Sequence, residues 1–275
     1  MRKKIIVRIL AFLLLLTITG CGRTAPSQSN SVVSTDKTET TDKTETTEAL
    51  TVVEQSTLTE EEVRALAFGA VLTTRNKMDY NTLFGASEAF KKACQAGLSE
   101  GYSVTDHDTA IETLEWLKTE GHRLSLNPQY YGYDEMYAII AGQAEGSEAE
   151  NELLSSMIEA YQRVKQTLME DYDYTEEELA AITTVSAWDY DRMVTVARWC
   201  YGSEYITEEE AWTYINYAAE NGAADYENWR SYFAGIMLGR LLWSEDSGLS
   251  SADKKIADEL LKEEDSIYFA VSFKP

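Results

Sequence analysis

Ala187-Trp188-Asp189-Tyr190-Asp191-Arg192, running on to Trp199, and Trp229-Arg230-Ser231-Tyr232-Phe233, running on to Arg240 and Trp243, are the two segments around which the chain is organised. At 100° per residue, Trp188, Arg192, Thr195 and Trp199 share one helical face, and Trp229, Phe233, Ile236, Arg240 and Trp243 share one face of the second helix. Each face sets an arginine among aromatic side chains. Between them, Thr207-Glu208-Glu209-Glu210 opens a third helix that turns Trp212, Ile215 and Ala219 inward. The segment around Ala234-Gly235-Ile236-Met237-Leu238-Gly239 and Leu241-Leu242 has little polar surface on any side, and a helix apolar all round is a buried one. Gly235 and Gly239, four apart, weaken that helix but admit a close neighbour.

Outward from this centre, helix starts recur. Thr59-Glu60-Glu61-Glu62, Thr175-Glu176-Glu177-Glu178 and Thr207-Glu208-Glu209-Glu210 each place a threonine to accept the N3 amide and a glutamate at N3 to reach back. Thr105-Asp106-His107-Asp108 and Ser250-Ser251-Ala252-Asp253 are weaker versions. After Pro26 only Pro128 and Pro275 occur, so little interrupts the helical segments. Helices are expected over 59–75, 87–98, 105–120, 133–145, 148–171, 175–183, 186–201, 207–221, 225–245 and 250–264. Gly121 and Asn221-Gly222 are expected stops. Ile267 to Phe273 alternates as a strand does, with the segment from Arg123 to Leu126 as its candidate partner. The fold class is therefore mainly α, a single multi-helix domain with a short C-terminal strand or hairpin.

That domain is expected over 58–275, ample for a substantial core. Before it, Met1-Arg2-Lys3-Lys4 and the apolar run to Leu16 have the charged and hydrophobic regions of a secretory signal over 1–20, shorter than a membrane span. Ile18-Thr19-Gly20-Cys21 resembles the lipobox of bacterial lipoproteins, and that resemblance implies a diacylglyceryl thioether on Cys21. Two acyl chains suffice for stable anchoring. Residues 21–57 are rich in Ser and Thr and repeat Thr-Asp-Lys-Thr-Glu-Thr at 35–40 and 41–46. With almost nothing to bury, they are expected to form a disordered tether reaching about 30 to 36 Å. The protein is thus expected to be extracytoplasmic and lipid-anchored to the cell membrane.

Four of the 24 basic residues, Arg2, Lys3, Lys4 and Arg8, lie in the leader, which leaves 20 against 47 acids, a net −27. Such a surface repels nucleic acid and anionic lipid. Cys21, Cys94 and Cys200 are too few for a disulfide framework. Cys94 and Cys200 can pair in principle, but each sits in an apolar helical setting where a free buried thiol is usual.

Trp188-Asp189 with Arg192 and Trp199, Tyr205-Ile206 before Glu208-Glu209-Glu210-Ala211-Trp212, then Trp229 and Leu238-Gly239-Arg240 with Trp243, resemble the C-terminal signature of domain-of-unknown-function family 1266. Gly101-Tyr102, Leu114-Glu115-Trp116-Leu117 and Glu120-Gly121-His122-Arg123 resemble its N-terminal portion. The resemblance spans roughly 101–243 and implies a bacterial, mainly helical domain. It implies no activity.

His107 and His122 are the only histidines, and there is no HExxH, CxxC or helically spaced histidine pair, so neither a metal site nor a cofactor is expected. His122, just past Gly121, reads as a helix C-terminal contact. Phosphate-cradling glycine loops and a G-x-S-x-G elbow are missing from the sequence. The 47 acids permit a glycosidase carboxylate pair without singling one out. Tyr130-Tyr131-Gly132-Tyr133 with Tyr137 reads as a turn and core packing, with stacking on a sugar as the alternative. Arg192 and Arg240, set in apolar sectors, each require an anion: either an internal carboxylate, Asp189 first, or an anionic ligand. Trp188, Asp189, Arg192, Trp199, Trp229, Arg240 and Trp243 are accordingly the candidate structural or ligand site. The function expected is a binding or interaction module with a protein or cell-envelope partner; the alternative is a cell-wall glycan hydrolase using a carboxylate pair.

Overall fold

The computed structural model describes residues 58–85, 87–124, 132–244 and 248–275. Among them the regular elements are all helices: α1 (Glu60–Ala67), α2 (Ala70–Arg75), α3 (Glu88–Tyr102), α4 (His107–Thr119), α5 (Gly121–Leu124), α6 (Tyr133–Ile140), α7 (Glu148–Leu153), α8 (Ser155–Tyr172), α9 (Glu176–Ala180), α10 (Ala187–Gly202), α11 (Glu208–Asp225), α12 (Trp229–Ser244), α13 (Ser251–Leu261) and α14 (Ile267–Ala270). The leader, Cys21, the spacer, and Tyr130 and Tyr131 of the tyrosine cluster lie outside the described residues.

The capping chemistry closes as its spacing requires. Reciprocal boxes form at Thr59 with Glu62, Thr175 with Glu178, Thr207 with Glu210 and Ser250 with Asp253. Each such cap contributes about 1 kcal/mol by satisfying otherwise orphaned amides. At α4 the cap is Asp106, not Thr105, because its carboxylate accepts from Thr109 while the Thr109 hydroxyl closes the reverse bond.

α10 lies at the centre and packs against α2, α3, α4, α11 and α12. Only Trp199, Tyr201 and Gly202 of this helix keep appreciable exposure. α12 is buried nearly throughout, with Phe233, Ala234, Ile236 and Met237 at zero exposure, in line with its all-round apolar character. Gly239 makes the α10–α12 approach possible, since a Cβ there would strike Trp188 and crowd the Val185 carbonyl.

Several boundaries differ from those the sequence suggests. The segment 59–75 breaks at Phe68-Gly69, where Val194 of α10 presses against the glycine. The segment 148–171 breaks at Leu154, a buried side chain that ends α7 and precedes α8. Asn221-Gly222 does not stop α11, which continues to Asp225 because Gly222 faces Phe68 and Tyr232 within the core. α12 begins at Trp229, not 225, after an extended Tyr226 whose hydroxyl donates to Thr184 O at 2.7 Å.

The expected C-terminal strand is absent from the described residues: Ile267–Ala270 is one helical turn, capped by Ser266. That turn swings Tyr268 flat onto Trp229, with centroids 4.6 Å apart and planes at 9°, while Phe273 meets the Trp229 edge. Burying both rings against one indole outweighs the alternating pattern, and the proposed partner is unavailable because Arg123 and Leu124 lie in α5.

Candidate functional site

Asp189, on the first turn of α10, is fully buried. Its Oδ1 accepts from the His122 amide at 2.9 Å and lies 2.7 Å from His122 Nδ1. Its Oδ2 accepts from the Arg123 amide at 3.0 Å and from Arg123 Nη1 at 3.2 Å. Burial alone would raise the Asp189 carboxyl, but the His122 hydrogen bond and charge, with the two amides, hold it below the ordinary carboxylate range. An ionised carboxylate only accepts, so His122 Nδ1 carries the hydrogen. Gly121, at φ 58°, lets the α5 backbone lie on this carboxylate: a Cβ there would collide with Asp189 Oδ2.

Arg123 also donates to Leu117 O at 2.9 Å and Lys118 O at 2.8 Å, closing the end of α4. Asp189 thereby fastens α4 and α5 to α10. The expected pairing of Asp189 with Arg192 does not occur, because α5 occupies the carboxylate completely. His122 is correspondingly more than a helix-end contact: its ring meets Trp116, Tyr133 and Trp188 at centroid distances of 5.0, 5.4 and 6.3 Å.

The two arginines singled out by their helical faces separate in role. Arg240 is paired as expected, through Nε to Asp253 Oδ2 at 2.9 Å, and Arg75 takes the other oxygen of the same buried carboxylate. Arg192 folds back along its own helix, donates Nη1 to Trp188 O at 3.0 Å, and lies over the Trp188 indole with Trp243 beyond. Among the described residues no carboxylate comes within ion-pair distance of it. Burial draws its guanidinium down to about 10, still cationic at neutral pH.

The structure therefore brings Trp188, Asp189, Arg192 and Trp243 together, with His122, Arg123 and Tyr133 added. Trp188 and Trp243 lie 5.7 Å apart. Trp229 belongs to the separate cluster with Phe68, Tyr268 and Phe273, and its Nε1 donates to Val271 O at 2.9 Å. Trp199 stands apart as well, its Nε1 donating to Met78 Sδ at 3.4 Å.

Two buried charges carried no distinguishing signal in the sequence. Arg198, fully buried, donates to Leu83 O, Thr73 Oγ1, Thr82 O and Asp79 O and so gathers the 79–83 loop around itself. Asp191 accepts on Oδ1 from the Val71 and Leu72 amides at 3.1 and 3.3 Å. Its Oδ2 has no hydrogen-bond partner among the described residues, nor has Thr195 Oγ1 one turn on. Burial pushes Asp191 up to about 7, against the lowering effect of Arg192 and the two amides. A carboxyl raised on folding contributes stability that is greatest below its unfolded value near 3.9 and is lost as pH rises through about 7. Asp191→Asn, which keeps the acceptor for both amides, is expected to be neutral or stabilising at pH 8 and to flatten the stability profile between pH 4 and 7. Denaturant midpoints across that range check it; a marked loss at pH 8 would show that the charge itself is needed.

Cys94 and Cys200 are both free and buried, their thiols pushed up to about 12 by burial. Among the described residues no three His, Cys, Asp or Glu side chains gather as a metal centre requires, and no helix is long and apolar enough to cross a membrane. Two of the open cavities among the described residues are lined by charged side chains. One of about 230 Å³ is lined by Lys77, Asp79, Phe84, Phe90 and Arg198; the other, of about 310 Å³, by Glu178, Asp225, Tyr226, Glu227 and Ser231.

A helical domain built on a buried, charge-bearing helix with tryptophan-flanked arginines is the class these features define. The chain belongs to the family described as protein of unknown function (DUF1266), whose model matches residues 97–273. It is similar to the uncharacterized protein YbeR of Escherichia coli (strain K12), 25% identical over 201 residues that cover 66% of this chain and 77% of that protein. No solved structure matches.

Proposed function

We propose that this protein is a lipid-anchored extracytoplasmic protein, held at the membrane through Cys21 and a 21–57 tether, whose helical domain is a binding or interaction module. The observation that carries the module reading is that two buried carboxylates, Asp189 and Asp253, are engaged by the domain's own chain. Asp189 holds α5, and Asp253 holds Arg75, Arg240 and the cap of α13. A glycan hydrolase needs two facing acids free to act on a sugar. On the wall of the larger cavity, Glu178 closes the Thr175 box and pairs with Arg230, and Asp225 accepts from Ser186 Oγ and Tyr190 OH. Both acids are thus held by contacts within the chain.

The anchor is tested by Cys21→Ser, which is expected to move the protein from the membrane to the soluble extracytoplasmic fraction. Persistent detergent-dependent fractionation of that variant sinks the anchor. The module reading is tested by incubating the detergent-solubilised full chain with isolated cell-wall material. No new reducing ends are expected; their steady release would establish the hydrolase instead.

A further inference from the structure

We propose that Arg192 and the Trp188 indole N–H, beside Trp243, form the seat of a ligand bearing a single carboxylate. This rests on the binding-module reading and names what the module holds.

The arginines of this region make the contrast. Arg123, Arg198 and Arg240 give their donors to carboxylates, backbone carbonyls and, from Arg198, the Thr73 hydroxyl. Arg192 is also enclosed, at 8% exposure, yet its guanidinium makes a single hydrogen bond among the described residues, from Nη1 to the Trp188 carbonyl. The ring it covers has a matching deficit. Trp188 is 3% exposed, and its Nε1–H donates to nothing among the described residues. A buried donor left unmade costs on the order of its full desolvation, so the Trp188 N–H calls for a cause, and the guanidinium stacked on it, with donors to spare, points to a shared one.

Both deficits are donors, so the group that answers them must accept. Charge says more. Arg123 is ion-paired with Asp189, whereas among the described residues no carboxylate lies within ion-pair distance of Arg192. The Arg192 cation is thus in excess there, on a chain whose formal charge is −23. A monoanion balances that excess; a phosphate dianion overshoots it beside two aspartates. A planar carboxylate also supplies two oxygens, one for the guanidinium fork and one for the indole. Trp243, partly exposed at the edge, provides an aromatic wall for the organic body behind the carboxylate.

The test reads the contact directly. The chain has six tryptophans, and their indole N–H signals stand apart in a nitrogen–proton correlation spectrum of the full chain in micelles. Trp188→Phe assigns its own signal by deleting it. Acetate, benzoate and inorganic phosphate are titrated at constant ionic strength. The expected result is a downfield, saturable shift of the Trp188 signal with both carboxylates, benzoate saturating at lower concentration, and no shift with phosphate. Arg192→Met should weaken the response at least tenfold and Arg192→Lys less. Should Arg192→Met fail to fold, Trp188→Phe, which keeps the stacking surface, must still lose most of the benzoate-induced change in Trp243 fluorescence. A stationary Trp188 signal, or one moved by phosphate, overturns the proposal. Cell-wall inertness of the same protein would leave the module reading standing, so the two failures are distinguishable.

Discussion

Asp189→Ala is expected to destabilise the domain by about 3–5 kcal/mol, the range for removing one partner of a buried, hydrogen-bonded ion pair. The variant strands Arg123 and the His122 and Arg123 amides around an empty corner, so α5 should detach from α10. For a domain of this size the loss corresponds to roughly 6 to 20 °C in Tm. Asp189→Asn should be nearly as damaging, because its amide turns a donor toward donors. The wild type itself should weaken in acid: a carboxyl depressed on folding contributes stability that is present above its unfolded value near 3.9 and lost as pH falls through its lower folded value. Thermal melts of the three proteins at pH 7 settle the point, and a change below about 1 kcal/mol in Asp189→Ala would mean that α5 is held by something else.

Arg240→Met and Arg192→Met should behave oppositely. The first leaves Asp253, buried and already committed to the α13 cap, with only Arg75, and is expected to cost about 3 kcal/mol. The second removes a buried cation that no carboxylate among the described residues contacts, and methionine can fill the same slot between Trp188 and Trp243. Its denaturant midpoint should stay near wild type or rise. Equal losses in both variants would show that Arg192 is held as tightly as Arg240, and would remove the basis for a ligand there.

The contrast between those arginines also marks where sequence reasoning ends. Helical periodicity, capping boxes and the all-round apolar α12 were readable because each depends on residues within a few positions of one another. The arginine-among-tryptophans pattern pointed to Arg192 and Trp188, which the structure places in contact, and of the two anions open to Arg240 the structure shows the internal carboxylate. Which carboxylate was not readable. Asp253 reaches Arg75 across 178 positions, and Asp189 turns to a four-residue helix 66 positions upstream. Such choices follow from tertiary packing, not from local spacing. Arg198 and Asp191 were missed for the same reason: on a helix buried all round, a polar face no longer signals solvent. The misread C-terminal strand shows the converse, since Tyr268 and Phe273 alternate in sequence yet serve a single indole.

The placement of polar groups on α10 has a consequence for the order in which the chain acquires its structure. Arg198 and Asp191 satisfy carbonyls and amides of residues 71–83, lying 115 to 125 positions earlier. Until those two side chains are in place, the start of α2 and the 79–83 loop lack these partners for their backbone groups. Loops of that length close slowly, and native contacts so far apart in sequence belong to slow-folding topologies. α10 is therefore the keystone in time as well as in space: its amides should be the last to exchange with solvent in the native protein, and the first segment of the domain to be made should be among the last to become committed.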